Sequence, residues 1–211
     1  MLQSDFRRIQ HELSDWIHID KWRYPLAVTL TCKKAIKGSD GYLRPVTEEM
    51  CRTNLRHVMN ALNHRILGSA QSKKQRIPIF PILERNAEGR LHYHAIIDVP
   101  QEVGDRFIRE LDCIWIWSHI GYRETDVQIA EDQGWVRYIL KGRSKPNYLD
   151  SIDVDNLVPP IDPPLIAKAG LNTFPTWPQR DPIRAWIRLL QALRTPELDE
   201  QCLYKKVIPN L

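Results

Sequence analysis

The sequence has no Cys-x-x-Cys pair. Its four cysteines, Cys32, Cys51, Cys113 and Cys202, are scattered and do not cluster with histidine. That excludes a thiolate zinc site and points to a reduced, cytoplasmic setting. Neither the phosphate-binding loop GxxxxGKS/T nor GxGxxG occurs, so nothing suggests a built-in ATPase, helicase or dinucleotide site. No apolar run approaches membrane-spanning length, and the opening stretch MLQSDFRRIQHEL is too charged for a signal peptide. No membrane partner is expected. Internal repeats are absent. A strong overall charge is absent too: 30 Lys and Arg stand against 26 Asp and Glu, for a net +4. The charge is uneven, with 16 basic against 10 acidic residues in positions 1–100, a local +6, and −2 in the remainder. A mildly basic first half suits a polyanion but does not require one.

What is present is enough for one domain with a full core and an extension: 211 residues, 43% hydrophobic. Residues 3–17 carry Phe6, Ile9, Leu13 and Trp16/Ile17 at helical spacing. Residues 26–34, LAVTLTCKK, read as a buried strand and 35–46 as a loop. Thr47 is a plausible N-cap before Glu48 and Glu49, and Leu55, Val58, Met59, Leu62 and Ile66 form an apolar stripe ending at Gly68. A hairpin is expected over 76–84 and 90–98, a second helix over 102–118, and a strand over 124–130 after Gly121. The order strand, helix, strand, strand, helix, strand predicts an α+β fold. It is the split βαβ of ferredoxin-like or RRM-like domains, an antiparallel sheet with helices on one face.

The chain is organised around Phe80–Asp98. Asn86-Ala87-Glu88-Gly89 is a turn signal between two apolar runs. A three-residue loop of Ala87, Glu88 and Gly89, with Gly89 in the left-handed position, pairs Asn86 with Arg90 and sets Glu84 opposite His92. His92 and His94, two apart, share a strand face. Two imidazoles and a carboxylate therefore converge, a donor set suited to a divalent ion of the Mn, Mg or Zn kind. The plainer alternative is two solvent-facing histidines and a salt-bridging Glu.

Asp132 can cap a short helix, Gln133–Lys141, on which Tyr138 and Lys141 share a face. Residues 143–180 hold a dense run of prolines and read as an extended arm. Asp181-Pro182 opens a C-terminal helical extension, 181–211, with Ile183, Trp186, Ile187 and Leu190 as its stripe. Residues 1–142 are expected to form the main domain.

Three segments together resemble the HUH endonucleases: rolling-circle replication initiators, relaxases and single-tyrosine transposases. They are the apolar and Thr strand Ala27-Val28-Thr29-Leu30-Thr31, the motif His92-Tyr93-His94, and Tyr138-Ile139-Leu140-Lys141. Glu84 stands eight positions before His92, as in viral-type initiators. The resemblance covers roughly residues 24–142. It implies a divalent ion, Mn²⁺ or Mg²⁺, on Glu84, His92 and His94. Tyr138 would be the nucleophile and Lys141 its cationic helper. The implied activity is site-specific nicking and rejoining of single-stranded or hairpin DNA at an origin through a 5′-phosphotyrosine, with unwinding left to a host helicase.

Several alternatives stay open. A single-tyrosine transposase would keep the chemistry and change the biology. A non-catalytic nucleic-acid-binding module would display aromatics on such a sheet, where this chain has His, His and Glu. A metal-dependent hydrolase would need neither Tyr138 nor Lys141. Tyr148 is a second candidate nucleophile. Lys33, Lys34, Arg85, Arg90 and Arg143 are candidate phosphate contacts, with a solvated rim as the plainer reading. Arg180, Arg184 and Arg188 would add contacts from the C-terminal extension. Trp115, Trp117 and Trp135 are expected in packing rather than base stacking.

Overall fold

The computed structural model describes residues 13–14, 17, 19, 22–69, 75–140 and 148–158. The expected contributions of Phe6, Ile9 and Trp16, of Lys141 and Arg143, and of the helix from Asp181 lie outside the described residues.

Strand β1 is Pro25–Cys32, rich in β-branched and apolar side chains and buried over most of its length. It is followed by a small separate sheet, β2 (Ala35–Lys37) paired with β3 (Leu43–Pro45), where the sequence suggested only a loop. The pairing closes because Gly41 takes a φ of 84° and Gly38 N–H donates to the Tyr42 carbonyl at 2.8 Å. Helix α1 spans Glu48–Leu67, and its Thr47 side chain accepts from Met50 N–H. At its far end Gly68 returns an N–H to the His64 carbonyl. Both caps match the expected ones.

Strands β4 (Ile79–Arg85) and β5 (Leu91–Asp98) form the central hairpin. Buried Asn63 of α1 fixes the approach to β4, its Oδ1 accepting from Ile77 N–H at 2.7 Å. A 3₁₀ turn, Gln101–Val103, leads into α2, Gly104–Trp117. Strand β6 runs Gly121–Ile129, three residues earlier in its start than the alternation of 124–130 suggested. Gly121 permits this: a Cβ there would sit 1.8 Å from the Trp115 carbonyl oxygen, so only glycine lets the strand begin so close to the helix end. A short helix α3, Gly134–Ile139, follows.

The fold is α+β. The main sheet has the order β4-β5-β1-β6, antiparallel at every pairing. One face packs against α1 and α2 in a core of Leu26, Val28, Leu30, Leu55, Leu62, Tyr93, Phe107, Leu111 and Trp115. The other face is covered in part by a second cluster. There Leu13, Ile17 and Trp22 meet Ala27, Phe80, Ile82 and Ile96 of the sheet, with Val136 and Ile139 of α3 and Ile152, Val154 and Leu157. Both faces being covered explains why β4 and β5 read as near-continuous apolar runs.

Within the stretch expected to be an extended arm, residues 148–158 return to the sheet. Tyr148–Ser151 forms a 3₁₀ turn, and the next residues bridge β4 at Ile82↔Ile152 and Ile79↔Val158. This covers the backbone edge of β4, which would otherwise offer unpaired groups. Asp153 is fully buried, taking hydrogen bonds at Oδ2 from Tyr93 Oη (2.8 Å) and Asn156 Nδ2 (2.7 Å). Its Oδ1 has no partner among the described residues. Burial, with Asp153 alongside, pushes the Tyr93 phenol far above the ordinary tyrosine range. No helix among the described residues is long and apolar enough to cross a membrane.

Candidate metal centre

The hairpin loop sets the geometry. Asn86 N–H donates to the Arg90 carbonyl and Gly89 N–H to the Asn86 carbonyl, both at 2.9 Å, and Gly89 takes a φ of 80°. The register that follows places Glu84 directly opposite His92 and Ile82 opposite His94. Alternation along the pleat puts Glu84, His92 and His94 on the face away from α1 and α2.

One donor atom from each of these three residues lies within 4.8 Å of the others. His92 Nε2 and His94 Nε2 are 3.1 Å apart, and His94 Nε2 lies 3.9 Å from a Glu84 oxygen. The other side of each ring is occupied. Thr29 Oγ1 lies 3.1 Å from His94 Nδ1, and the His92 ring bonds the backbone of Arg90, an interaction that favours its protonated form and so has the ring N–H donating. At 3.1 Å one Nε2–H can donate to the other ring; in the tautomer with each Nδ1–H turned outward, both Nε2 lone pairs face one point, where a cation would bind them. This outer hydrogen bonding is the usual support of a ligating imidazole.

Electrostatics favour the same state. Burial, with the charge of His92 second, lowers the pKa of His94 to about 4, and burial lowers that of His92. Both rings are therefore neutral near pH 7, the form that ligates metal. It follows that the close approach of His94 to Glu84 is not an ion pair there. Two neutral imidazoles and one carboxylate have the chemistry and spacing to hold a metal ion.

Tyr138 stands beside this group. Its ring is edge-on to His94, with centroids 5.6 Å apart at 82°, and it is 38% exposed. Helix α3 holds it there through buried Val136 and Ile139, and Gln133 Nε2 donates to the Ile17 carbonyl at 3.0 Å. The sequence suggests Asp132 as the cap of this helix; the N-cap is instead Gln133, without a side-chain cap bond, and Asp132 Oδ1 accepts from Gly134 N–H in the preceding turn. Trp135 stacks on Tyr138 at 5.0 Å and 22°, and stands edge-on to His94 at 5.8 Å.

The basic candidates are engaged within the protein. Lys33 Nζ donates to the His119 carbonyl at 3.0 Å, and Lys34 lies 3.5 Å from Glu88. Arg85 donates to the Gly89 carbonyl at 2.7 Å. Arg90 lies over the Tyr122 ring at 4.3 Å and 3.5 Å from Glu124. Of the tryptophans, Trp115 is core, donating to the Thr31 carbonyl, whereas Trp117 is 85% exposed at the end of α2 and does not pack. Trp117 is the correction here: it is the last residue of the helix, on the side turned away from the sheet.

The sequence marks two residues at the site only as a strand residue, Thr29, and as packing, Trp135. Thr29 reaches His94 only through the pairing of β1 with β5, which no local pattern reveals. Trp135 was legible in principle, since it precedes Tyr138 by three positions and so shares its helix face.

No protein-family model matches the chain. No curated protein and no solved structure gives a significant match either.

Proposed function

We propose that this protein is a metal-dependent nuclease and strand transferase of the HUH endonuclease kind. It would nick and rejoin single-stranded or hairpin DNA through Tyr138 to initiate rolling-circle replication of a plasmid or phage element in the cytoplasm. The observation that carries the reading is the Tyr138 ring standing 5.6 Å from the ring of His94, at the rim of the Glu84–His92–His94 group. A plain metal hydrolase has no use for a phenol there. An aromatic nucleic-acid-binding sheet has no use for the two histidines and the carboxylate. We read the sheet as a ferredoxin-like split βαβ unit; its strand order and the two helices on one face support this.

Glu84, His92 and His94 would hold the ion, Mn²⁺ or Mg²⁺. When bound, it supplies a positive charge that offsets the phosphate oxygens and polarises the phosphorus. Thr29 and the Arg90 carbonyl hold the rings in the ligating orientation. Tyr138 Oη attacks phosphorus as the bond to the 3′ oxygen breaks. The phenol proton ends on the departing oxygen, leaving a 3′-hydroxyl and a 5′-phosphotyrosine. Because the new ester conserves the bond, a later 3′-hydroxyl reverses the step and rejoins strands. Lys141, one turn on in sequence, would ease loss of the phenol proton or accompany the phosphate. A separate helicase would supply the single strand.

The test is incubation with Mn²⁺ and single-stranded oligonucleotides tiled across the protein's own replicon, followed by denaturing electrophoresis. The expected result is a denaturation-resistant protein–DNA band that disappears with chelator and in His92→Ala. Cleavage without such a band supports a water-using hydrolase instead. Binding with neither supports the non-catalytic module.

A further inference from the structure

We propose that Trp135 is a positioning residue that aims the Tyr138 phenol at the metal group, an inference that rests on the reading of Tyr138 as the nucleophile. Helix α3 has only 6 residues, too short to hold a shape by its own hydrogen bonds. Tyr138 is 38% exposed. In-line attack needs its oxygen held at a fixed place near the phosphorus.

Trp135 supplies the constraint from three sides. Its ring stacks on Tyr138 at 5.0 Å and 22°. It meets His94 edge-on at 5.8 Å and 82°. Its Nε1–H donates to the Ala95 carbonyl at 3.4 Å, on the residue directly after the ligand. His94, Trp135 and Tyr138 thus form a closed triangle of rings, since Tyr138 meets His94 at 5.6 Å. The phenol is thereby referenced to β5, the strand that carries both histidines, and not merely to its own short helix. Packing alone would require a bulky apolar side chain at 135; holding a tyrosine ring in one plane requires a flat one.

The experiment places 3-fluorotyrosine at position 138 of the full chain and follows its ¹⁹F line on adding Mn²⁺, whose broadening falls steeply with distance. Trp135→Leu and Trp135→Met fill the space without a flat face, whereas Trp135→Phe keeps one. Expected are unchanged Mn²⁺ affinity in all three, weakened broadening in the Leu and Met variants, and broadening restored in Phe. In DNA cleavage by the unlabelled chain, kcat should fall ~100-fold for Leu and Met with KM little changed. Broadening and kcat that are the same in Leu, Met and Phe would overturn the proposal, as would losses that simply follow the Tm of each variant. The NMR arm needs no DNA, so the two readings fail separately. A wild type that forms no adduct contradicts the proposed function, while broadening indifferent to residue 135 contradicts the positioning role.

Discussion

Thr29 Oγ1 and His94 Nδ1 lie 3.1 Å apart across paired central strands, so a hydroxyl on β1 fixes the ring orientation of a histidine on β5. Valine matches threonine in shape but lacks the oxygen. Thr29→Val should therefore leave the fold intact and weaken Mn²⁺ binding about 10- to 100-fold, the usual cost of losing an outer partner of a ligand. Calorimetric titration with Mn²⁺ checks this. An unchanged affinity would mean the hydroxyl does not orient the ligand.

Acid should destabilise the chelator-treated protein through the same histidines. The folded pKa of His94 lies at about 4, below its ordinary 6.5, because burial opposes the charged ring. Between those values the unfolded chain binds more protons, so stability rises with pH across that window. No contribution remains above 6.5, and the full cost, about 3 kcal/mol, is in place below 4. Replacing the titrating group, His94→Gln should flatten the fall in urea stability between pH 6.5 and 4 relative to wild type. Parallel curves would contradict the neutral-imidazole assignment.

Asp153 ties residues 151–158 to the hairpin from the face opposite the metal group, through Tyr93, which sits between the two histidines. Asp153→Ala strands the buried Tyr93 hydroxyl and should cost roughly 1–3 kcal/mol in urea unfolding. Burying a charge is itself costly, so Asp153→Asn, which keeps an acceptor for Tyr93, should cost less. If both variants are as stable as wild type, the 151–158 segment does not brace the strand that carries the ligands.

The carboxylate of Glu84 is the one anionic donor of the group. Glu84→Gln keeps its size and removes its charge, and should weaken Mn²⁺ binding more than binding of a softer ion such as Zn²⁺, since carboxylate oxygen suits the harder cation. Parallel titrations with the two ions decide it. Unchanged affinity for both ions would indicate that Glu84 does not ligate, and equal losses that its charge does not favour the harder cation.

Local rules made the Glu84–His92–His94 group legible. A three-residue loop ending in a left-handed Gly89 determines which residues face one another a few positions away, and that alone brings Glu84 opposite His92. Tyr138 reached the site through helix placement after the last strand. Long-range relations were not legible: Thr29 to His94 spans 65 positions and Tyr93 to Asp153 spans 60. Sequence patterning says which side of a strand is apolar but not which strand lies beside it. It likewise marked Lys33, Lys34, Arg85 and Arg90 as cations without showing that each already has a partner within the fold.

The most direct test of the central claim is mass spectrometry of the trypsin-digested protein after reaction with a single-stranded oligonucleotide and Mn²⁺. Tryptic cleavage after Arg137 and Lys141 isolates Tyr138-Ile139-Leu140-Lys141 from the peptide that carries Tyr148. The account predicts a nucleotide-phosphate adduct on Tyr138, absent from the Tyr138→Phe protein. An adduct on Tyr148, or DNA cut with every tyrosine unmodified, would contradict it.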